Sequence, residues 1–167
     1  MKRLVQLAFF LLCVLFVLAC NKRKELSSLN PENWQKRTVN VKFSDSLESG
    51  STYLPVYSAI YGSTEHRTYN LSATVSLRNT SHKDTAYILK ADYYNTHGVR
   101  IRTYFDKAIF LAPMETVEII IDETDKEGGT GANFVFDWMV YRGSNHPFFE
   151  SVMISTSGQQ GLSFSSR

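Results

Sequence analysis

The stretch Glu127-Gly-Gly-Thr-Gly-Ala-Asn-Phe-Val-Phe-Asp-Trp-Met-Val140 constrains the fold of this chain more than any other. Gly128, Gly129 and Gly131 crowd its first half, a density suited to backbone angles that residues with a Cβ avoid. Its second half alternates. Phe134, Phe136, Trp138 and Val140 fall on one face of a strand, and Val135, Asp137 and Met139 on the other. Three large rings on one face make residues 134–141 the expected central core strand. Residues 124–132 are then the loop that feeds it.

The same period of two continues through the rest of the chain from residue 51. Residues 53–57 read as a strand that Pro55 confines to an edge. A loop at 58–66 precedes the clearest half-buried strand, residues 67–77. There Tyr69, Leu71, Ala73, Val75 and Leu77 oppose Asn70, Ser72, Thr74 and Ser76. Strands at 85–94 and 99–105 flank a tight hairpin loop, Asn95-Thr-His-Gly98. Beyond a bend at 111–113, residues 116–122 place Val117, Ile119 and Ile121 on one face. A turn at 142–147 and strands at 149–156 and 162–165 complete the set. The expected fold is all-β: an antiparallel β-sandwich of seven to eight strands with immunoglobulin-like architecture. A closed β-barrel is the alternative.

Upstream of this domain the pattern changes. Lys2 and Arg3 precede an apolar run from Leu4 to Ala19 that only Gln6 interrupts, and the run ends Val17-Leu-Ala-Cys20. This has the shape of a secretory signal and is short for a membrane span. Its end resembles the lipobox of bacterial lipoproteins. The resemblance implies removal of residues 1–19 and acylation of Cys20, with palmitate-type chains holding the protein at the membrane. An ordinary signal peptide containing a cysteine is the plainer reading. Residues 20–50 form the expected tether, with a short edge strand expected at 38–43 and a polar break at 45–50. Of the two cysteines, Cys13 lies in the signal, so no thiol remains for a disulfide. Without Lys2 and Arg3 the 18 basic residues become 16, equal to the 16 acidic ones, and no basic stripe marks a nucleic-acid binder. No acidic run follows Cys20 as a surface-export signal would require, so the expected location is a periplasm-facing position in the bacterial cell envelope.

Several short motifs extend the resemblance across residues 51–166. They are Tyr53-Leu-Pro-Val-Tyr-Ser58, Leu77-Arg-Asn79, Asp92-Tyr-Tyr94, Gly128-Gly-Thr-Gly-Ala-Asn-Phe134, Val152-Met-Ile154 and Gly161-Leu-Ser-Phe164. Together they resemble an uncharacterised bacterial lipoprotein family, a domain of unknown function. The resemblance implies a secreted or lipid-anchored all-β domain, and it carries over no catalytic residue.

Candidate chemistry is sparse. The glycine loop is no P-loop, because no Lys-Ser or Lys-Thr follows Gly131 and a strand, not a helix, comes next. Asp122-Glu-Thr-Asp-Lys-Glu127 lacks the ligand spacing and flanking helices of an EF-hand. His66, His82, His97 and His146 each stand alone in polar turns, and no nucleophile elbow accompanies the serines. Tyr93, Tyr94 and Trp138 suit strand packing better than a sugar platform. The expected function is therefore a non-enzymatic binding or envelope-assembly module, with another envelope protein or a glycan as partner, and no cofactor or metal. The alternative is a hydrolase or metal-dependent enzyme using the loops around residues 124–133.

Antiparallel order sends successive loops to alternate ends of a sandwich. Loops 58–66, 95–98, 124–132 and 157–161 then share one end, facing away from the tether, and loops 78–84, 106–116 and 142–147 share the plainer other end. The candidate binding loop residues at the first end are His66, His97, Asp125, Glu127, Gly128, Gly129, Gly131 and Asn133. Loops on a rigid scaffold are where binding residues concentrate. The competing reading is that the glycines only close a tight crossover.

Overall fold

The computed structural model describes residues 34–42, 44–156 and 161–167. The signal sequence, Cys20 and the first part of the tether lie outside the described residues, as do Phe43 and residues 157–160.

Eleven strands form the described domain: β1 (Leu47–Pro55), β2 (Ala59–Tyr61), β3 (Thr68–Asn70), β4 (Ser72–Arg78), β5 (Ala86–Tyr94), β6 (Arg100–Thr103), β7 (Ile109–Leu111), β8 (Thr116–Ile121), β9 (Asn133–Tyr141), β10 (Phe148–Ser155) and β11 (Leu162–Ser166). A 3-10 turn, Gly129–Gly131, precedes β9. One five-stranded sheet runs β1-β9-β5-β6, with β7 also on β5. A four-stranded sheet runs β11-β10-β4-β8, and β2 and β3 form a small ribbon. All the ladders are antiparallel and neither large sheet closes into a barrel, so the fold is an all-β sandwich.

The core lies where the alternation in β9 places it. Phe134, Phe136, Trp138 and Val140 are all buried. Phe134 and Phe136 stack at 5.2 Å, Phe134 stacks on Tyr93 of β5 at 4.7 Å, and Phe136 reaches across to Phe149 of β10 at 4.4 Å. This aromatic file joins the two sheets, and each pair adds about 1 kcal/mol beyond its buried area. Leu71, Ala73, Val75 and Leu77 supply the facing wall, with Ile119 and Ile121 beside them.

Several boundaries differ from the sequence reading, each for a physical reason. β1 begins at Leu47, inside the expected polar break, because Gly50 pairs with Trp138 and leaves room for its indole. A Cβ on Gly50 would collide with that ring. The ring is further held by its N–H donating to Thr52 Oγ1 at 2.9 Å. Pro55 does lie on an edge strand, as expected. The expected loop at 58–66 contains β2, and the expected strand at 67–77 divides into β3 and β4. The break is at Leu71, whose N–H donates to Ser58 O at 2.9 Å instead of to a ladder partner. Ile109–Leu111 is a strand where a bend was expected from 111, the turn itself starting one residue later. Residues 38–42 form no strand; Thr38 makes one isolated bridge to Ile109. β5 carries a bulge between Ile88 and Lys90, which explains why its apolar positions change phase.

Candidate functional site

The strand register sets the ends of the sandwich. Pro55, Asn133 and Tyr94 are aligned across the first sheet at one end. Loops 56–58, 95–99 and 122–132 converge there, and Thr156 Oγ1 donates to Glu123 Oε2 at 3.3 Å from the second sheet. The chain comes into the domain at the other end, where Arg142 N–H donates to Ser46 O at 2.9 Å.

The glycine turn is held from two sides. Gly129 has φ +78°, the left-handed region that favours glycine. Its N–H donates to Ser58 Oγ at 2.8 Å, and its carbonyl accepts from Ser58 N–H at 3.1 Å. On the other side Thr96 donates to Gly128 O through its N–H at 3.0 Å and its hydroxyl at 3.1 Å. The Thr96 Oγ1 also accepts from Gly131 N–H at 2.9 Å. Gly128 has no room for a side chain, since a Cβ there would collide with the Tyr93 hydroxyl and the Ala132 methyl. The glycines therefore pack three loops into one unit through their backbone groups.

The acidic stretch before them is held by Arg102 of β6. This guanidinium is buried, its side chain 6 % exposed. Its Nη1 donates to Asp125 Oδ2 at 2.7 Å and to the Tyr104 hydroxyl at 3.0 Å, and its Nη2 to Glu127 Oε2 at 3.0 Å. The Tyr93 and Tyr104 rings lie 6.0 and 5.7 Å from its central carbon, within cation–π range. The Asp125 side chain is buried, whereas that of Glu127 is 56 % exposed. Burial alone would lower the Arg102 pKa, but the bonds and charge interactions with Asp125 and Tyr104 together outweigh it and push it up. Burial raises both Tyr93 and Tyr104 above the usual phenol value. A fixed cation and two phenols that stay protonated exchange no protons near neutral pH, so this cluster acts as a static clamp.

Of the residues expected at this site, Asp125, Glu127, Gly128, Gly129 and Gly131 belong to one bonded cluster. His97 is exposed in the adjoining hairpin turn, where its N–H donates to Asn95 Oδ1 at 3.0 Å. His66 faces its neighbour Glu65 at 3.5 Å in the β2–β3 turn, and Asn133 opens β9 between Pro55 and Tyr94. Among the described residues neither of these two side chains bonds to the cluster. No group of three His, Cys, Asp or Glu is placed to hold a metal ion among the described residues.

Sequence reasoning missed Arg102, Tyr104, Ser58 and Thr96, which do the holding. Of the three aromatics weighed as a sugar platform against strand packing, Tyr93 and Trp138 are buried in the core, in line with the favoured packing reading, and Tyr94 is half-buried. The opposite end is less plain than expected. Asn79 is buried, its amide donating to the carbonyls of Asp84, Leu111 and Ala112 at 2.8, 3.0 and 3.0 Å. His146 packs against Trp138 at 4.6 Å between centroids, with its Nε2 3.1 Å from Glu48 Oε1.

Beside the exposed His97 and Glu127, apolar side chains also reach solvent near the glycine end. Tyr61, Val99 and Leu162 are 60, 57 and 49 % exposed on the segments that border its loops. Tyr53, near the end of β1, is exposed at 60 %.

Residues 49–167 match the model of a family described as "Protein of unknown function (DUF3124)". No curated protein and no solved structure matches the chain.

Proposed function

The chain belongs to the DUF3124 family, and we propose that it is a lipid-anchored binding module of the bacterial cell envelope, working without catalysis. The anchor reading rests on the apolar run to Ala19 and the lipobox-like sequence ending at Cys20. Acyl chains at that position hold the domain at the membrane more firmly than one chain would. The binding reading rests on one observation: Tyr61, Val99 and Leu162 stand exposed beside loops that internal bonds already order. Ordered loops lose little entropy when a partner docks, and exposed apolar and tyrosine side chains are what protein partners bury. That end lies opposite the chain's approach to the domain, so a tethered molecule can present it outward. Asp125, the residue that a hydrolytic reading would employ, is occupied by Arg102.

The test uses the full chain in native membranes. Lipidated Cys20 and loss of residues 1–19 are expected by mass spectrometry, and Cys20→Ala should release the protein from the membrane fraction. Cross-linked partners should be lost in a Tyr61→Ser/Val99→Ser variant and kept in a Met114→Ser/Phe148→Ser variant at the other end. The reverse pattern would refute the choice of face. Asp125 is unsuitable for this test because its removal should strand the buried Arg102 and destabilise the fold.

A further inference from the structure

A second feature lies on the flank of the five-stranded sheet. β5 pairs with β7 through residues 86–88 and with β6 through residues 92–94, so its other edge is left between them. The Tyr104 N–H fills part of the gap by donating to Ala91 O at 3.0 Å. An open groove of about 520 Å³ lies here, lined by Lys90, Arg100, Thr103, Tyr104, Phe105 and Asp106. That volume falls within the range of small-ligand sites.

The groove's charge is organised around one buried carboxylate. Asp92 has a side chain only 2 % exposed and stands between two irregularities of β5, the bulge at Ile88/Lys90 and a register shift at Tyr93/Tyr94. Its partners are the Lys90 ammonium, Arg100 Nη1 at 3.4 Å and the Thr103 hydroxyl at 2.6 Å. The Tyr94 hydroxyl lies 3.5 Å away. Two cations thus share one anion. Lys90 and Arg100 remain 37 and 54 % exposed. An ammonium has three donors and a guanidinium five, so most of theirs are left over after Asp92 is served. Bulges are frequent where a sheet re-aims side chains towards a site.

We propose that this groove binds the phosphate or carboxylate group of a small anionic ligand, with Lys90 and Arg100 as the recognising pair. Asp92 positions the two cations and neutralises one of them, which leaves one positive charge for the ligand. Thr103 is placed as a neutral hydroxyl beside them. Asp106 is the counterweight. It brings the groove to overall neutrality, so affinity depends on contact with the cation pair and not on a general attractive field. The same chemistry fits a soluble anion or the headgroup of an acidic lipid.

The experiment titrates the full chain, purified in neutral detergent, with inorganic phosphate and with acetate at constant ionic strength. Backbone amide shifts of residues 90–92 and 100–106 are followed. A saturating response is expected, weakened about tenfold in Arg100→Gln and Lys90→Gln by loss of a charge-assisted bond. Asp106→Asn should tighten binding, an effect that a merely destabilised variant would not show. Arg67→Gln, whose guanidinium lies over Tyr69, should leave it unchanged. A parallel arm replaces the solutes with vesicles of phosphatidylcholine containing phosphatidylglycerol; a response confined to these vesicles and lost in Arg100→Gln assigns the anion to a lipid headgroup. No saturating response to any probe, or an equal response in Arg100→Gln, overturns the proposal.

Discussion

Removing Asp125 should destabilise the domain far more than removing Glu127, although both carboxylates bind Arg102. The difference comes from burial. Asp125 and Arg102 have side chains 3 and 6 % exposed, while Glu127 is 56 % exposed. Truncating one member of a buried pair strands the other charge away from water, at a cost of about 3–5 kcal/mol. An exposed carboxylate contributes about 0–1 kcal/mol. Asp125→Ala should therefore lower the urea midpoint by roughly 2 M, for a slope near 2 kcal/mol per molar, and Glu127→Ala should barely move it. Arg102→Met strands Asp125 and should cost as much as Asp125→Ala. The double variant Arg102→Met/Asp125→Ala leaves no stranded charge, so it should cost less than the sum of the two by about 2 kcal/mol. Tryptophan fluorescence is a suitable readout because Trp138 lies in the core. Hydrogen exchange at Gly129 and Gly131 should accelerate in Asp125→Ala, since the clamp precedes the turn that Ser58 and Thr96 hold. Equal losses for Asp125→Ala and Glu127→Ala, or an additive double variant, would show that Arg102 is not a clamp.

Three further outcomes follow from the packing. Gly50→Val should cost about 1–3 kcal/mol by overpacking against Trp138 and shift the indole emission, which urea titration followed by fluorescence measures. Burial would raise the Asp92 carboxyl, but the bonds from Lys90, Thr103 and Arg100 and the charge of Lys90 together outweigh it and leave its pKa lowered. Its contribution is thus present above the unfolded value near about 4 and lost as pH falls through the lower folded value. The acid limb of the stability–pH curve should accordingly flatten in Asp92→Asn, with a residual slope from Glu115, also lowered. Thr96→Val removes the acceptor for Gly131 N–H and a donor to Gly128 O; it should cost about 1 kcal/mol and speed exchange at Gly131.

The fold was legible wherever side chains alternate. β9, β4 and β8 carry apolar residues at every second position, and each is a strand with the expected face buried. β10 was legible as a strand but not in its facing, since it buries Ser151 and Ser155 beside Phe149 and Met153 and exposes Val152 and Ile154. Legibility failed where the information is not local. β1 looked like a polar break because Ser49, Gly50 and Ser51 carry no hydrophobic signal. What makes those residues a strand is Trp138, 88 positions away from Gly50 in sequence and directly opposite it in the ladder. β7 has only three residues, too few for a period to be seen, and exists because β5 offers it an edge. The bulge in β5 inserts one residue, so the alternation before it and after it point to opposite faces.

The candidate site divides in the same way. Its glycines and acids were visible as a composition anomaly, but the sign of their role was not, because the groups that decide it lie on other elements. Arg102 sits in Arg100-Ile-Arg-Thr-Tyr104, where alternation alone would turn Ile101 inward and both arginines outward. The structure does the opposite with Arg102, since Tyr93, its ladder partner, faces inward, and Asp125 is there to neutralise it. A buried cation is tolerated only with such a partner. Two of the expected binding residues, Asp125 and Gly128, are thereby spent on holding the loop: one fully paired, the other packed under a tyrosine hydroxyl. The groups left to meet a partner are those that the clamp does not use, the exposed half of Glu127 and the apolar side chains of Tyr61 and Val99. Rigidity and recognition are thus separate tasks at this end of the sandwich, and they are carried by different residues.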